Sequence, residues 1–212
     1  MRSTFFSLAA LLILNVSLAP AGEPLKISVR VFDTASVSDR TLAQAQQLVD
    51  QLYERVGIKI HWLRGDRNTL ERVEREQPVR TGPGCQSVDW IDVKLQPAVR
   101  GLTRTTILAN AFPYRSSGIR VRVPMVNVLA HARATGVPVD VILGFVLAHE
   151  VGHILIGSGW HSRNGIMRAK LAWTDMLLPA SEVPMFDAVD VVYIRRNLEK
   201  SRIGCAPMLA AR

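Results

Sequence analysis

Cysteine is almost missing from this 212-residue chain: only Cys85 and Cys205 occur, more than a hundred positions apart. That excludes a disulfide-dense scaffold and any cysteine-built metal site, since neither thiol has ligand spacing to the other or to a histidine. Aromatics are scarce as well, 6% of the residues. The chain lacks a glycine-rich phosphate loop, a Ser/His/Asp constellation and a Cys/His nucleophile pair. No internal repeat, coiled coil or low-complexity tract appears. Acidic residues are outnumbered, 18 against 26 lysines and arginines, which gives a net charge of +8. The arginines are nevertheless scattered from Arg30 to Arg196 with little aromatic interleaving, so they read as solvated surface and no nucleic-acid partner is expected.

What is present begins at the N-terminus. Met1-Arg2-Ser3-Thr4 precedes an apolar run from Phe5 to Leu18 and then Ala19-Pro20-Ala21. A basic start, a short apolar core and small residues at −3 and −1 predict a signal peptide over residues 1–21, cleaved after Ala21. The run is too short for a comfortable membrane span, so no span is expected after cleavage. Residues 22–212 then form a single domain with a sizeable core, in a secreted or periplasmic location. In that oxidising setting Cys85 and Cys205 are disulfide candidates, with two free thiols as the alternative.

Three of the five histidines fall in one short segment. His149-Glu150-Val151-Gly152-His153 places two imidazoles at i and i+4, on one face of a helix, where both can aim at one metal ion. Glu150 stands beside the first, where a carboxylate can hold a metal-bound water and take its proton. The preceding stretch, Val139 to Ala148, is apolar on almost every face and therefore reads as a buried helix. Two histidines and a glutamate within such a helix are costly unless something satisfies them, and a zinc ion would. Gly157 and Gly159 can end the helix and let the chain turn His161 back toward the pair. Three protein ligands with a fourth position open is the catalytic zinc arrangement.

The run His149 to Ser162, closing on Gly165-Ile166-Met167, resembles the metzincin clan of zinc metallopeptidases. It is most like the matrixin-type and small secreted bacterial members. The resemblance implies that His149, His153 and His161 bind zinc, that Glu150 is the general base, and that Met167 forms the Met-turn beneath the metal. It also implies an N-terminal subdomain, residues 22–160, carrying the zinc helix, and a C-terminal subdomain, residues 161–212, carrying the third ligand and the Met-turn. One departure is plain. The clan pattern HExxHxxGxxH has glycine three residues after the second histidine and the last ligand six after it. Here Gly157 is four after His153 and His161 eight after. A gluzincin-type site with an acidic third ligand, Glu182, therefore stays open. So does a zinc-stabilised binding module that uses its basic surface and catalyses nothing.

The rest of the chain predicts an α+β fold, a small twisted mixed sheet packed against helices around the zinc helix. Ile27, Val29 and Val31 alternate as a strand. Ser38 or Asp39 caps a helix with the stripe Leu42, Ala45, Leu48, Leu52 and Val56, ended by Gly57. Ile58, Ile60 and Trp62 form a second strand, most simply parallel to the first. Arg64 to Gln86 reads as an exposed excursion with a short helix near Leu70 to Glu76. Ile91 to Leu95 and Ile119 to Val123 are further strands, the latter with Arg120 and Arg122 on its other face. A helix from Met125 to Ala134 follows, and two more are predicted over Ala169–Leu177 and Glu182–Leu198.

In metzincins an edge strand before the zinc helix binds extended substrate by β-addition. Ile119 to Val123 is the segment that would correspond to it. A downstream tyrosine serves some members as a transition-state donor; Tyr193 is in place for that, though a core position suits it better. Trp160 either shapes the pocket or packs under the turn. His61 and His131 read as ordinary surface or strand histidines. The chemistry expected is zinc-dependent hydrolysis of a peptide bond, with a peptide or protein as substrate.

Overall fold

The computed structural model describes residues 24–75, 90–98, 107–115, 118–170, 172–178 and 182–204. Residues 1–21 and both cysteines, and with them the expected leader and disulfide, lie outside the described residues.

Strand β1 (Leu25–Asp33) turns Ile27, Val29 and Val31 into the core. Helix α1 (Asp39–Glu54) starts where the Ser38 hydroxyl accepts the Thr41 amide at 3.1 Å, the expected cap. Strand β2 (Ile58–Arg64) then returns parallel to β1, Leu25 beside Ile58 and Val31 beside Arg64. This is the expected strand–helix–strand unit. The buried stripe of α1 is Ala45, Val49, Leu52 and Tyr53. It lies slightly round from the expected face, with Leu42 and Leu48 only partly buried. Tyr53 supplies the reason: its hydroxyl donates to the Ala148 carbonyl at 2.9 Å, which orients α1 on the metal-bearing helix.

Helix α2 (Arg67–Arg75) is capped by Asp66, which accepts the Thr69 amide at 2.8 Å. The polar excursion is thus not wholly exposed. Leu70 and Val73 are buried with Phe32 and Ile119 in a small second cluster. Strands β3 (Trp90–Gln96), β4 (Asn110–Ala111) and β5 (Ile119–Pro124) complete a five-stranded sheet in the order β2-β1-β3-β5-β4. All neighbours are parallel except β4, which runs antiparallel to β5.

The sheet corrects two expectations. Ile119 to Val123 is not an edge strand, because β4 pairs with it as Ala111 opposite Val121. A two-residue strand carries too little alternation to be read from sequence. Arg120 is not a solvated side chain either, being only 2% exposed. Burial lowers its guanidinium to about 10, and the nearby Asp92 carboxylate opposes that shift. Asp92 itself is buried and forms a two-pronged ion pair with Arg30 at 2.8 and 3.0 Å.

Helix α3 (Met125–Thr135) leads to α4 (Val139–Ile156), the central helix. By length and hydropathy α4 could cross a membrane, but 78% of it is buried inside the fold. Its apolar residues face α1 on one side, the sheet on another and the C-terminal segment on a third. At Gly144 a β-carbon would press on Leu48 Cδ2 at 2.8 Å and approach the Ala45 carbonyl at 3.1 Å, so glycine lets α1 and α4 pack closely here. After α4 the expected helix over Ala169–Leu177 is only a 3-10 turn at Trp173–Leu177. The final helix, α5, spans Ala188–Gly204, starting six residues later than Glu182. Pro184 in that gap lacks the amide a helix interior needs.

Candidate metal centre

Helical spacing brings His149 and His153 together as their sequence positions require: their Nε2 atoms are 3.0 Å apart. Each ring is fixed from behind. His149 Nδ1 lies 2.8 Å from the Ile166 carbonyl, and His153 Nδ1 lies 3.1 Å from the Ser158 carbonyl. A carbonyl oxygen only accepts, so both Nδ1 atoms carry the proton and both Nε2 atoms present lone pairs. Two lone pairs facing each other at that distance repel unless a cation lies between them. Carbonyl partners behind ligand imidazoles are the usual orienting shell of a metal site.

The third donor arrives by the turn. Gly157 ends α4 in the left-handed conformation, φ 76°, its amide bonded to the His153 carbonyl at 3.0 Å. The chain reverses and His161 enters with ring centroids 5.3 Å from His149 and 4.8 Å from His153. The ligand atoms of all three histidines lie within 4.8 Å of one another. The two residues by which this loop exceeds the clan spacing are taken up in the Gly157–Gly159 turn. Beyond it, the Ser162 amide donates to the Met167 carbonyl at 2.9 Å and closes a tight loop. Met167 is fully buried, with its sulfur against Gly152, three residues after His149 and one before His153 on α4. Behind the loop Asp190, the last residue of the first turn of α5, is fully buried and accepts the Ser162 hydroxyl. Its other oxygen accepts the Asp187 amide at 3.2 Å.

Electrostatics fit a metal ligand set. Burial drives His153 down to about 4, the neighbouring His149 and His161 adding to the shift. His149 is lowered too, by burial first. Neutral imidazoles are the ligand form. Glu150 is 8% exposed, and burial pushes its carboxyl up to about 7 against the hydrogen bond it accepts from the Ala111 amide. Strand β4 therefore does more than border the sheet: it fixes the carboxyl next to the metal site. Nothing in the sequence around Asn110 and Ala111 signalled this role.

All four residues line one cleft of about 660 Å³. Its walls come from α4, from Ile107 to Ala111 and Pro113 around β4, and from Arg168, Ala169, Lys170 and Met176 after the turn. His131, read from sequence as unremarkable, is also in this wall, brought there by the fold of α3. Glu182 is exposed and does not line the cleft. Trp160 is 55% exposed, so it does not pack under the turn. Tyr193 is neither a core residue, at 45% exposed, nor part of the cleft wall.

The fold and the site together define an α+β chain with a three-histidine metal centre in an open cleft and a buried carboxyl beside it. Three nitrogen donors that leave one side open suit zinc in its tetrahedral preference. No protein-family model and no curated protein matches the chain. Among solved structures, the archaemetzincin of Methanopyrus kandleri is similar at 17% identity and a TM-score of 0.45, covering 86% of this chain and 99% of that one. The archaemetzincin of Archaeoglobus fulgidus, solved with malonate, gives 14% and 0.43 over 80% and 99%. Metalloproteinase-II of Bacteroides fragilis gives 11% and 0.49 over 82% of this chain and 53% of that chain. Likeness at this level carries no residue role from those proteins to this one.

Proposed function

We propose that the protein is a zinc-dependent endopeptidase with Glu150 as its general base. The observation that carries the reading is the convergence of His149, His153 and His161 on one point beside a buried, high-pKa carboxyl, all facing one cleft. Zinc held by the three histidines would polarise the scissile carbonyl and acidify a bound water. The chain's own residues then do the rest. Glu150 takes a proton from the water and returns it to the leaving amine, a task suited to a carboxyl held beside the metal site. The Ala111 amide holds the carboxyl in place. The carbonyls of Ile166 and Ser158 keep both helix imidazoles aimed inward. Strand β4, at the sheet edge and in the cleft wall, is where an extended peptide would lie, in place of β5.

The matrixin-type, secreted form of this reading rests on the motif and on the leader-like residues 1–21. Mass spectrometry of the exported protein would test it, with Gly22 as the expected N-terminus and Cys85 joined to Cys205. The activity is tested by Glu150→Gln. Glutamine keeps the size and accepts hydrogen bonds but not a proton at neutral pH. We expect kcat and kcat/KM for an unstructured protein substrate to fall together by about 10²–10⁴, with zinc retained. Near wild-type cleavage by that variant would remove Glu150 from the mechanism. A zinc-loaded wild type that cuts nothing would favour a binding module.

A further inference from the structure

The cleft is unevenly charged, and the imbalance points to a substrate class. Its floor is apolar, from Leu108, Ala109, Val146 and Met176. Its ionisable lining consists of the three metal-site histidines, Glu150, His131, Arg168 and Lys170. Among the described residues Glu150 is thus the single carboxylate in the lining, and it stands beside the metal site. Arg168 is neutralised from outside the cleft by Asp175, with which it forms a tight ion pair. Asp175 also accepts the Ala172 amide at 3.2 Å, so this pair braces the segment that carries Lys170. Lys170 is exposed and has no ion-pair partner among the described residues. The Arg168 Nε–H is buried without an acceptor among them. That wall therefore holds donors and positive charge in excess of acceptors, at the mouth of a site that would itself carry a divalent cation.

We infer that the cleft selects peptides bearing an acidic side chain next to the cleaved bond, read by Lys170, with His131 as a second hydrogen-bonding group in the lining. The inference rests on the peptidase reading and names its substrate class. A carboxylate entering the cleft meets a cation that has no ion-pair partner among the described residues, whereas a lysine side chain meets like charge. A glutamine finds a donor but no charge to neutralise. Because Lys170 is exposed, solvent screens the contact and the discrimination expected is modest, on the order of fivefold between glutamate and glutamine.

The test uses the zinc-loaded full chain and unstructured peptides identical except for Glu, Gln or Lys at each position flanking the cleaved bond. At one of these positions Glu should be cut about five times faster than Gln, as kcat/KM, with Lys slowest. Lys170→Arg should keep that ratio, and Lys170→Gln should bring it toward one. Direct binding of the same peptides to zinc-loaded Glu150→Gln protein reads the preference without turnover. Binding that favours Glu in the absence of any cleavage by wild type would support the charged wall while sinking the peptidase reading. Equal cleavage of all three peptides would overturn the inference and leave the peptidase reading standing. A preference that survives Lys170→Gln combined with His131→Gln would overturn the assignment of these residues. Neither cleavage nor binding would overturn both.

Discussion

The sulfur of Met167 occupies the space in which a β-carbon on Gly152 would stand. Glycine inside a helix ordinarily costs about 1 kcal/mol against alanine, so its position between Val151 and His153 requires a reason. That reason is the close seating of the turn after His161 against the metal-bearing helix at Gly152. The same turn carries the Ile166 carbonyl that orients His149.

Gly152→Ala should therefore destabilise the protein despite the better helix propensity, by about 1–3 kcal/mol of overpacking. Zinc content should fall with it, because the displaced turn takes the Ile166 carbonyl away from His149. Met167→Leu, which conserves volume, should cost less than about 1.5 kcal/mol and spare most activity. Chemical denaturation and elemental analysis read both. An alanine variant as stable and as zinc-rich as wild type would show that the turn is free to shift.

Removing the third donor separates the two candidate ligand sets. His161→Ala should lose most of its zinc, and Glu182→Ala should keep it, since Glu182 lies outside the cleft. Full occupancy in the first with loss in the second would restore the gluzincin alternative.

Asp190 predicts a pH dependence. Burial raises its carboxyl above the usual 3.8, against the hydrogen bonds from Ser162 and Asp187, and the Asp187 charge adds to the rise. A raised folded value means that the native state holds this proton more tightly than the unfolded one. Its contribution to stability is thus complete below 3.8 and is lost as pH rises through the folded value. Asparagine stays neutral throughout. Wild type should lose stability relative to Asp190→Asn as pH rises from about 3.5 toward 7, as read by urea midpoints of both proteins. A difference that is flat, or that changes in the opposite sense, would contradict this account.

Tyr53→Phe tests the joint between α1 and α4. The lost hydroxyl removes one buried hydrogen bond to the Ala148 carbonyl, so stability should drop by about 0.5–1.5 kcal/mol. Zinc content should hardly change, because Tyr53 touches the helix backbone and none of the ligands. A large loss of metal would mean that the orientation of α4 is set here and not by the turn.

Periodicity and helix arithmetic made the frame legible. The alternation at Ile27, Val29 and Val31, the Ser38 cap and the i, i+4 histidines are local patterns, and local patterns survive in sequence. Gly157 marked the end of α4 for the same reason: a left-handed residue is a property of one position. What the sequence could not reveal depended on partners distant along the chain. Strand β4 is two residues long and exists only because β5 offers it hydrogen bonds. Arg120 reads as a surface residue until β4 pairs beside its strand and Asp92 comes to lie near it. His131 and Lys170, thirty-nine positions apart, line one cleft only after α3 and the post-turn segment close on α4. The sequence alone determined the candidate metal ligands, the acid beside them and the apolar helix that holds them, since each depends on spacing within one or two turns. Only the tertiary structure decided which strand borders the cleft and which charges face it, because both depend on contacts that form when distant segments bury their apolar faces together.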